Sequence, residues 1–143
     1  MNWKELLALH HWVLLAGLLH FCQIPAMLMA PRMLGWKEDL PKLSLINRRI
    51  VVVIALAIVL VVVGMGIVVA CAADQLVDKS RLATGVTGFL AVFWAYRAAV
   101  QWALYFRIWV KGWLGVMSNY GLGLLLVFLT VVYLVAFIAN LSG

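Results

Sequence analysis

Acid is what this sequence most lacks. Its 143 residues hold five Asp and Glu against eleven Lys and Arg, and only 11% of them are charged. A soluble domain carries about 25% charged residues, so a soluble fold is excluded. Cysteine is scarce as well. Cys22 and Cys71 stand far apart and form neither a disulfide framework nor a CxxC unit of the redox or zinc kind. The three histidines, His10, His11 and His20, all fall in the first apolar stretch. His10 and His20 are about 15 Å apart along a helix and cannot flank one haem iron. No His/Cys/carboxylate spacing suits a metal, and no nucleophile elbow is legible. Catalytic and metal residues are therefore expected to be none, and an enzymatic role is left open but disfavoured.

What the sequence does have is apolar length. It is 67% hydrophobic, with a mean hydropathy of +1.11. Ile50 to Ala73 runs without a charge or a strongly polar side chain. At about 1.5 Å per residue this is roughly 36 Å, enough to cross a ~30 Å hydrocarbon core. Four such spans are expected, at about 6–30, 50–73, 83–105 and 121–139, the last starting as early as Leu114. The first is read as a retained span, because its apolar run continues past His20 and Pro25 without a small-residue cleavage pattern. A kink is expected at Pro25 and a stop near Pro31. The fold class is all-α: one integral-membrane domain, an antiparallel four-helix bundle.

Basic residues set the orientation. Arg32, Lys37, Lys42, Arg48 and Arg49 lie between spans 1 and 2, and Arg107 and Lys111 between spans 3 and 4. Only Lys4, Lys79 and Arg81 fall on the other side. The positive-inside rule places both termini outside and the first and third loops in the cytoplasm. Trp36, Trp109 and Trp113 then belong to the inner aromatic belt, and Trp3 and Trp12 to the outer one. The first loop mixes its five cations with Leu40, Leu43, Leu45 and Ile46. It reads as a surface segment, apolar side chains inserted and cations against anionic headgroups. Nucleic acid is a poor partner for so few cations without a binding motif.

Polar residues inside the spans form stripes. Trp94, Arg97, Gln101 and Tyr105 share one face of span 3 at about 100° per residue. Gly88, Ala91, Ala95 and Ala98 lie on an adjoining face and suit close helix approach. Arg97 sits inside the membrane with no acid in any span to pair with it, a placement that costs about 2.5–3.5 kcal/mol on insertion scales. Gln101, one turn on, is the expected partner, together with groups from neighbouring helices; the alternatives are an anion or ligand carbonyl held by Arg97 and Gln101 between the Trp94 and Tyr105 rings, and an acid on another subunit. In span 1, Ala16, Gly17, His20, Gln23 and Met27 share a face, with His10 on a neighbouring face and His11 pointing away. Span 4 adds Asn119, Gly123, Thr130 and Tyr133. Spans 1, 3 and 4 are expected to enclose a polar seam of His20, Gln23, Trp94, Arg97, Gln101, Tyr105, Thr130 and Tyr133. Span 2 reads as a lipid-facing wall, with Gly64 and Gly66 as points of close approach.

Two family resemblances accompany these residues. Pro31-Arg32 and Arg48-Arg49 resemble the Pro-Arg step and the basic start of helix two in the membrane protoporphyrinogen oxidases, which also carry a first-helix histidine. The third-helix lysine of those enzymes has no counterpart in residues 83–105, and the acidic and histidine-rich features of their first loop are missing. More closely, Pro31-Arg32-Met33-Leu34-Gly35-Trp36 and Phe93-Trp94-Ala95-Tyr96-Arg97-Ala98-Ala99-Val100-Gln101 are similar to a scattered group of uncharacterised small bacterial four-helix membrane proteins with a PRxLxW loop and an FWxxRxxxQ third helix. That resemblance covers spans 1 to 3 and implies a bacterial inner membrane.

The expected function is a non-enzymatic inner-membrane protein, an accessory or structural subunit or a lipid- or small-ligand-binding bundle, with no cofactor and with lipid, other subunits or further copies as partners. The alternative is a haem- or quinone-binding redox or biosynthetic protein, His20 being the haem ligand. A second alternative is an oligomeric permeation unit. A proton-coupled exporter of the small four-helix type is excluded, since no span carries the glutamate that such a protein needs in its first helix.

Overall fold

A computed structural model describes residues 3–104 and 113–142. Among these the chain is helical with no strand, and four helical stretches are long and apolar enough to cross a membrane: Ala8–Met33, Leu45–Cys71, Arg81–Leu104 and Gly115–Leu141. They make an antiparallel bundle in a multi-pass membrane protein. The first stretch is composite: α1 (Trp3–Leu19), a 3-10 turn (His20–Gln23) and α2 (Ile24–Met33). A short α3 (Trp36–Asp39) and a second 3-10 turn (Leu40–Lys42) lead to α4 (Leu45–Cys71). A third 3-10 turn (Gln75–Val77) precedes α5 (Arg81–Leu104), and α6 (Trp113–Leu141) completes the bundle.

The expected kink is present, and its mechanism is visible in the backbone. Pro25 has no N–H to give to Phe21 O four residues earlier. The N–H of Ile24 takes that carbonyl instead, three residues back. The ladder therefore tightens to 3-10 over His20–Gln23 and resumes as α2, with Pro25 in its first turn. The expected stop near Pro31 is also present: α2 carries through Pro31 to Met33, and Gly35 just beyond it takes φ +67°.

One boundary differs from the sequence reading. α4 begins at Leu45, because the Ser44 side chain accepts from Asn47 N at 3.4 Å. Leu45, Ile46, Arg48 and Arg49 are thus helical, and the surface segment shortens. α6 is helical from its first described residue, Trp113, in keeping with the early limit expected.

α5 and α6 form the most extensive pair, α1 packs on α6 and α4, and α4 rests chiefly on α1 and the turn after it. Apolar area drives little association in lipid, so close approach must come from small residues. At the α1–α4 crossing a Cβ on Gly17 would lie 2.8 Å from Ala70 N, and one on Gly66 would lie 2.9 Å from His20 Cβ. Gly64 meets nothing within 4 Å, so only the second glycine of the expected pair makes the contact. The rest of α4 is the expected wall: Val53, Ile54, Leu56, Leu60, Ile67 and Val68 are all exposed.

On α5 the two adjoining faces merge into one buried arc holding Thr87, Leu90, Ala91, Trp94, Ala98 and Gln101. Gly88 lies at its edge against the Phe137 ring. Ala95 is exposed, a correction to the expected packing stripe: Gly88, on nearly the same line of the helix, meets the Phe137 ring, and Ala95 does not share that burial.

Candidate functional site

The 3-10 turn builds the first half of the site. Side chains three apart eclipse in a 3-10 helix, so His20 and Gln23 point the same way, and both are almost fully buried. The His20 Nδ1 lies 2.6 Å from Ala16 O. A carbonyl only accepts, so Nδ1 carries the proton, and in the neutral ring Nε2 is left as an acceptor lone pair. That Nε2 is buried without a partner.

The second half comes from α5 and α6. The Trp94 ring meets His20 edge-on, centroids 4.9 Å apart at 83°. The Tyr133 ring lies 6.0 Å from the imidazole at 66°. Trp94, Tyr133 and His20 are each 0% exposed. Phe93 crosses Trp94 at 5.0 Å and helps to fix the indole plane. Behind His20, Gly66 leaves room for its Cβ. The polar ends of this group are unpaired: Gln23 Nε2, Trp94 Nε1 and Tyr133 OH make no hydrogen bond, and neither does Arg97 Nε one turn along α5. With His20 Nε2 this makes five unpartnered buried atoms from three helical elements.

The remaining seam residues lie elsewhere. Gln101 does not serve Arg97. Its Nε2 donates to Asn119 Oδ1 at 2.5 Å, tying α5 to α6. The expected Arg97–Gln101 pairing is therefore corrected: Gln101 lies near the centre of the buried arc and faces α6, whereas Arg97 is at its edge and half-buried. Thr130 donates back to Leu126 O at 2.8 Å within its own helix. Tyr105 lies outside the described residues. The single seam read from the sequence thus divides into a central cluster and a separate Gln101–Asn119 lock.

Three features were not legible in advance. His10 Nδ1 sits 2.8 Å from Asp74 Oδ1. This is ion-pair distance, although the contact lacks hydrogen-bond alignment, since the same nitrogen has no hydrogen-bond partner. Asn140 holds the loop between α4 and α5. It accepts from Lys79 N at 3.1 Å and donates to Leu76 O at 2.9 Å and Thr87 Oγ1 at 3.3 Å. Lys79 takes φ 65°, unusual for a side chain of its size, and the Asn140 bond to its N–H is what holds it there. The only advance signal for Asn140 was a polar residue just inside the end of the last apolar run. Third, one of the first-loop cations has an acidic partner within the loop. Arg32, Lys37, Lys42, Arg48 and Arg49 are all exposed, but Lys42 is bound to Asp39 at 2.7 Å.

The chain matches no family model, no curated protein and no solved structure. The site is therefore read from its own chemistry. Among the described residues no group of three His, Cys, Asp or Glu could hold a metal. The arrangement offers three N–H donors, a phenol that donates or accepts, and one imidazole acceptor, enclosed by aromatic rings within a lipid-embedded bundle.

Proposed function

We propose that this is a non-enzymatic protein of a bacterial inner membrane, with its N-terminus outside, whose bundle interior binds a small amphipathic ligand drawn from the bilayer. The observation that carries this reading is the set of five unpaired buried atoms. Leaving one buried polar group unpaired costs about 1–3 kcal/mol. Five would cost on the order of 5–15 kcal/mol, as much as the whole stability of a typical fold. A fold persists with such a cluster when something bonds to it.

The donor set specifies the occupant. His20 Nε2 calls for a hydroxyl hydrogen, whereas Gln23, Trp94 and Arg97 call for oxygen acceptors. A ring or short chain bearing both a hydroxyl and a carbonyl or ether oxygen meets both needs, and a membrane quinol is one such molecule. At the membrane surface the exposed cations of the first loop meet anionic headgroups and hold the cytoplasmic side in place.

The test is gentle extraction followed by mass spectrometry of the organic molecules that accompany the protein, for the wild type and Trp94→Phe. That substitution keeps the aromatic packing and removes one donor. The expected result is one oxygenated amphipathic molecule in stoichiometric amount, depleted several-fold in the variant. Extraction that leaves the bundle folded and brings no such molecule would sink the proposal.

A further inference from the structure

The segment between the first two spans is folded back on itself rather than spread flat. Gly35 reverses the chain with its positive φ, and one turn of α3 and one 3-10 turn follow. This brings Pro31, Trp36, Leu40 and Pro41 around a cleft of about 480 Å³ whose other walls are Lys37 and Arg48. The two acids of the segment, Glu38 and Asp39, do not line it. Asp39 is engaged by Lys42, which removes that cation as well. Of the five cations, Lys37 and Arg48 are thus the two that fold onto one cleft, and neither is in an ion pair among the described residues. The cleft has apolar walls, two uncompensated positive charges and no carboxylate, at the end of the bundle where α2 finishes and α4 begins.

We infer that this cleft is a headgroup site for one anionic phospholipid of the adjacent leaflet. Lys37 and Arg48 bind the phosphodiester, and Trp36, Pro31, Leu40 and Pro41 cover the glycerol and the first methylenes. A guanidinium and an ammonium converging on a phosphate give charge-assisted bonds that a zwitterionic headgroup, with its own cation, offsets. The proposal differs from general attraction to a charged surface, because it singles out two cations of five. It rests on the surface placement of this segment and is independent of what fills the bundle interior.

The test is native mass spectrometry of the full chain in detergent, titrated with phosphatidylglycerol or phosphatidylcholine. One tightly held phosphatidylglycerol is expected, with phosphatidylcholine bound roughly tenfold more weakly or worse. Lys37→Gln with Arg48→Gln should abolish the preference, whereas Arg32→Gln with Arg49→Gln, an equal loss of charge, should leave most of it. Equal losses from the two double variants overturn the site. So does competition by millimolar inorganic phosphate that displaces the lipid completely, since the cleft would then be a free-anion site. Surface placement is checked separately by labelling Glu38→Cys with a membrane-impermeant maleimide in membranes opened to both faces. No labelling there overturns the placement itself, whereas labelling without lipid preference overturns only the site.

Discussion

Two groups of buried polar side chains in this bundle have opposite accounts. At the end where α4 passes into α5, Asn140 uses both its oxygen and its nitrogen, and each goes to a named partner on another element. Near the middle of the first span, His20 satisfies one ring nitrogen within its own helix and leaves the other free, and Gln23, Trp94, Tyr133 and Arg97 each leave a polar atom unpaired. Asn140, His20, Gln23, Trp94 and Tyr133 are all buried. Under the proposed function, the difference separates a polar group that holds a fold together from one that the fold holds ready for a ligand. Substitutions at the two places should therefore move stability in opposite directions.

The largest effect belongs to the clamp. Asn140→Leu leaves Lys79 N–H and Leu76 C=O without their partner, and it releases the strained backbone at Lys79. Two orphaned groups predict a loss of about 2–4 kcal/mol, read as a shift in unfolding in mixed micelles. A loss under about 1 kcal/mol would mean that water replaces Asn140 freely and that the end of the bundle is not closed.

Next comes the frame of the central cluster. Gly66→Ala puts a Cβ 2.9 Å from His20 Cβ and 3.2 Å from Gly17 O. Backbone on one side and a buried ring on the other leave little room to give, so α4 must move off α1, at about 1–3 kcal/mol. Gly64→Ala is the control, since nothing lies within 4 Å of its Cβ; it should be neutral or slightly stabilising. Equal effects at the two glycines would show that the contact is not specific to the His20 side.

The clearest contrast is Tyr133→Phe. It removes an unpaired hydroxyl and keeps the ring against His20. In ligand-free protein it should be neutral or stabilising by up to about 1 kcal/mol, the opposite sign to Asn140→Leu, while retention of the co-purified molecule falls. Destabilisation of the ligand-free chain would mean that the hydroxyl already has a partner and that the cluster is structural.

The halves of this contrast were not equally legible in the sequence. Helical spacing alone placed Ala16, Gly17, His20 and Gln23 on one face and marked α4 as the outer wall, because periodicity is local. The pairing of His20 with Gln23 was within reach too, given Pro25 and the carbonyl it strands at Phe21. What spacing cannot show is which residue on another helix receives a side chain. Gln101 looked like a partner for Arg97 because they are one turn apart, yet the α5–α6 hairpin brings Asn119 opposite it. Asn140 escaped notice because its partners are some sixty residues away, and because a polar residue near the end of an apolar run ordinarily marks the membrane boundary.

The smallest effect tests whether the two ends of the contrast are coupled. Asp78 is next to the clamped Lys79, and its carboxylate accepts from Ser80 N at 2.8 Å. Bonds from the Ser80 side chain and backbone hold its pKa below the ordinary 3.8. A carboxylate depressed on folding contributes stability that is fully present above its unfolded value and is lost as pH falls through its folded value. The loss therefore falls below about pH 4, and Asp78→Asn should remove the pH dependence. Hydrogen exchange should then quicken at residues 76–80 on acidification while amides beside His20 keep their protection, because opening at the clamp is local. If both regions lose protection together, the clamp and the cluster belong to one cooperative unit, and binding at the centre would tighten the loop between α4 and α5.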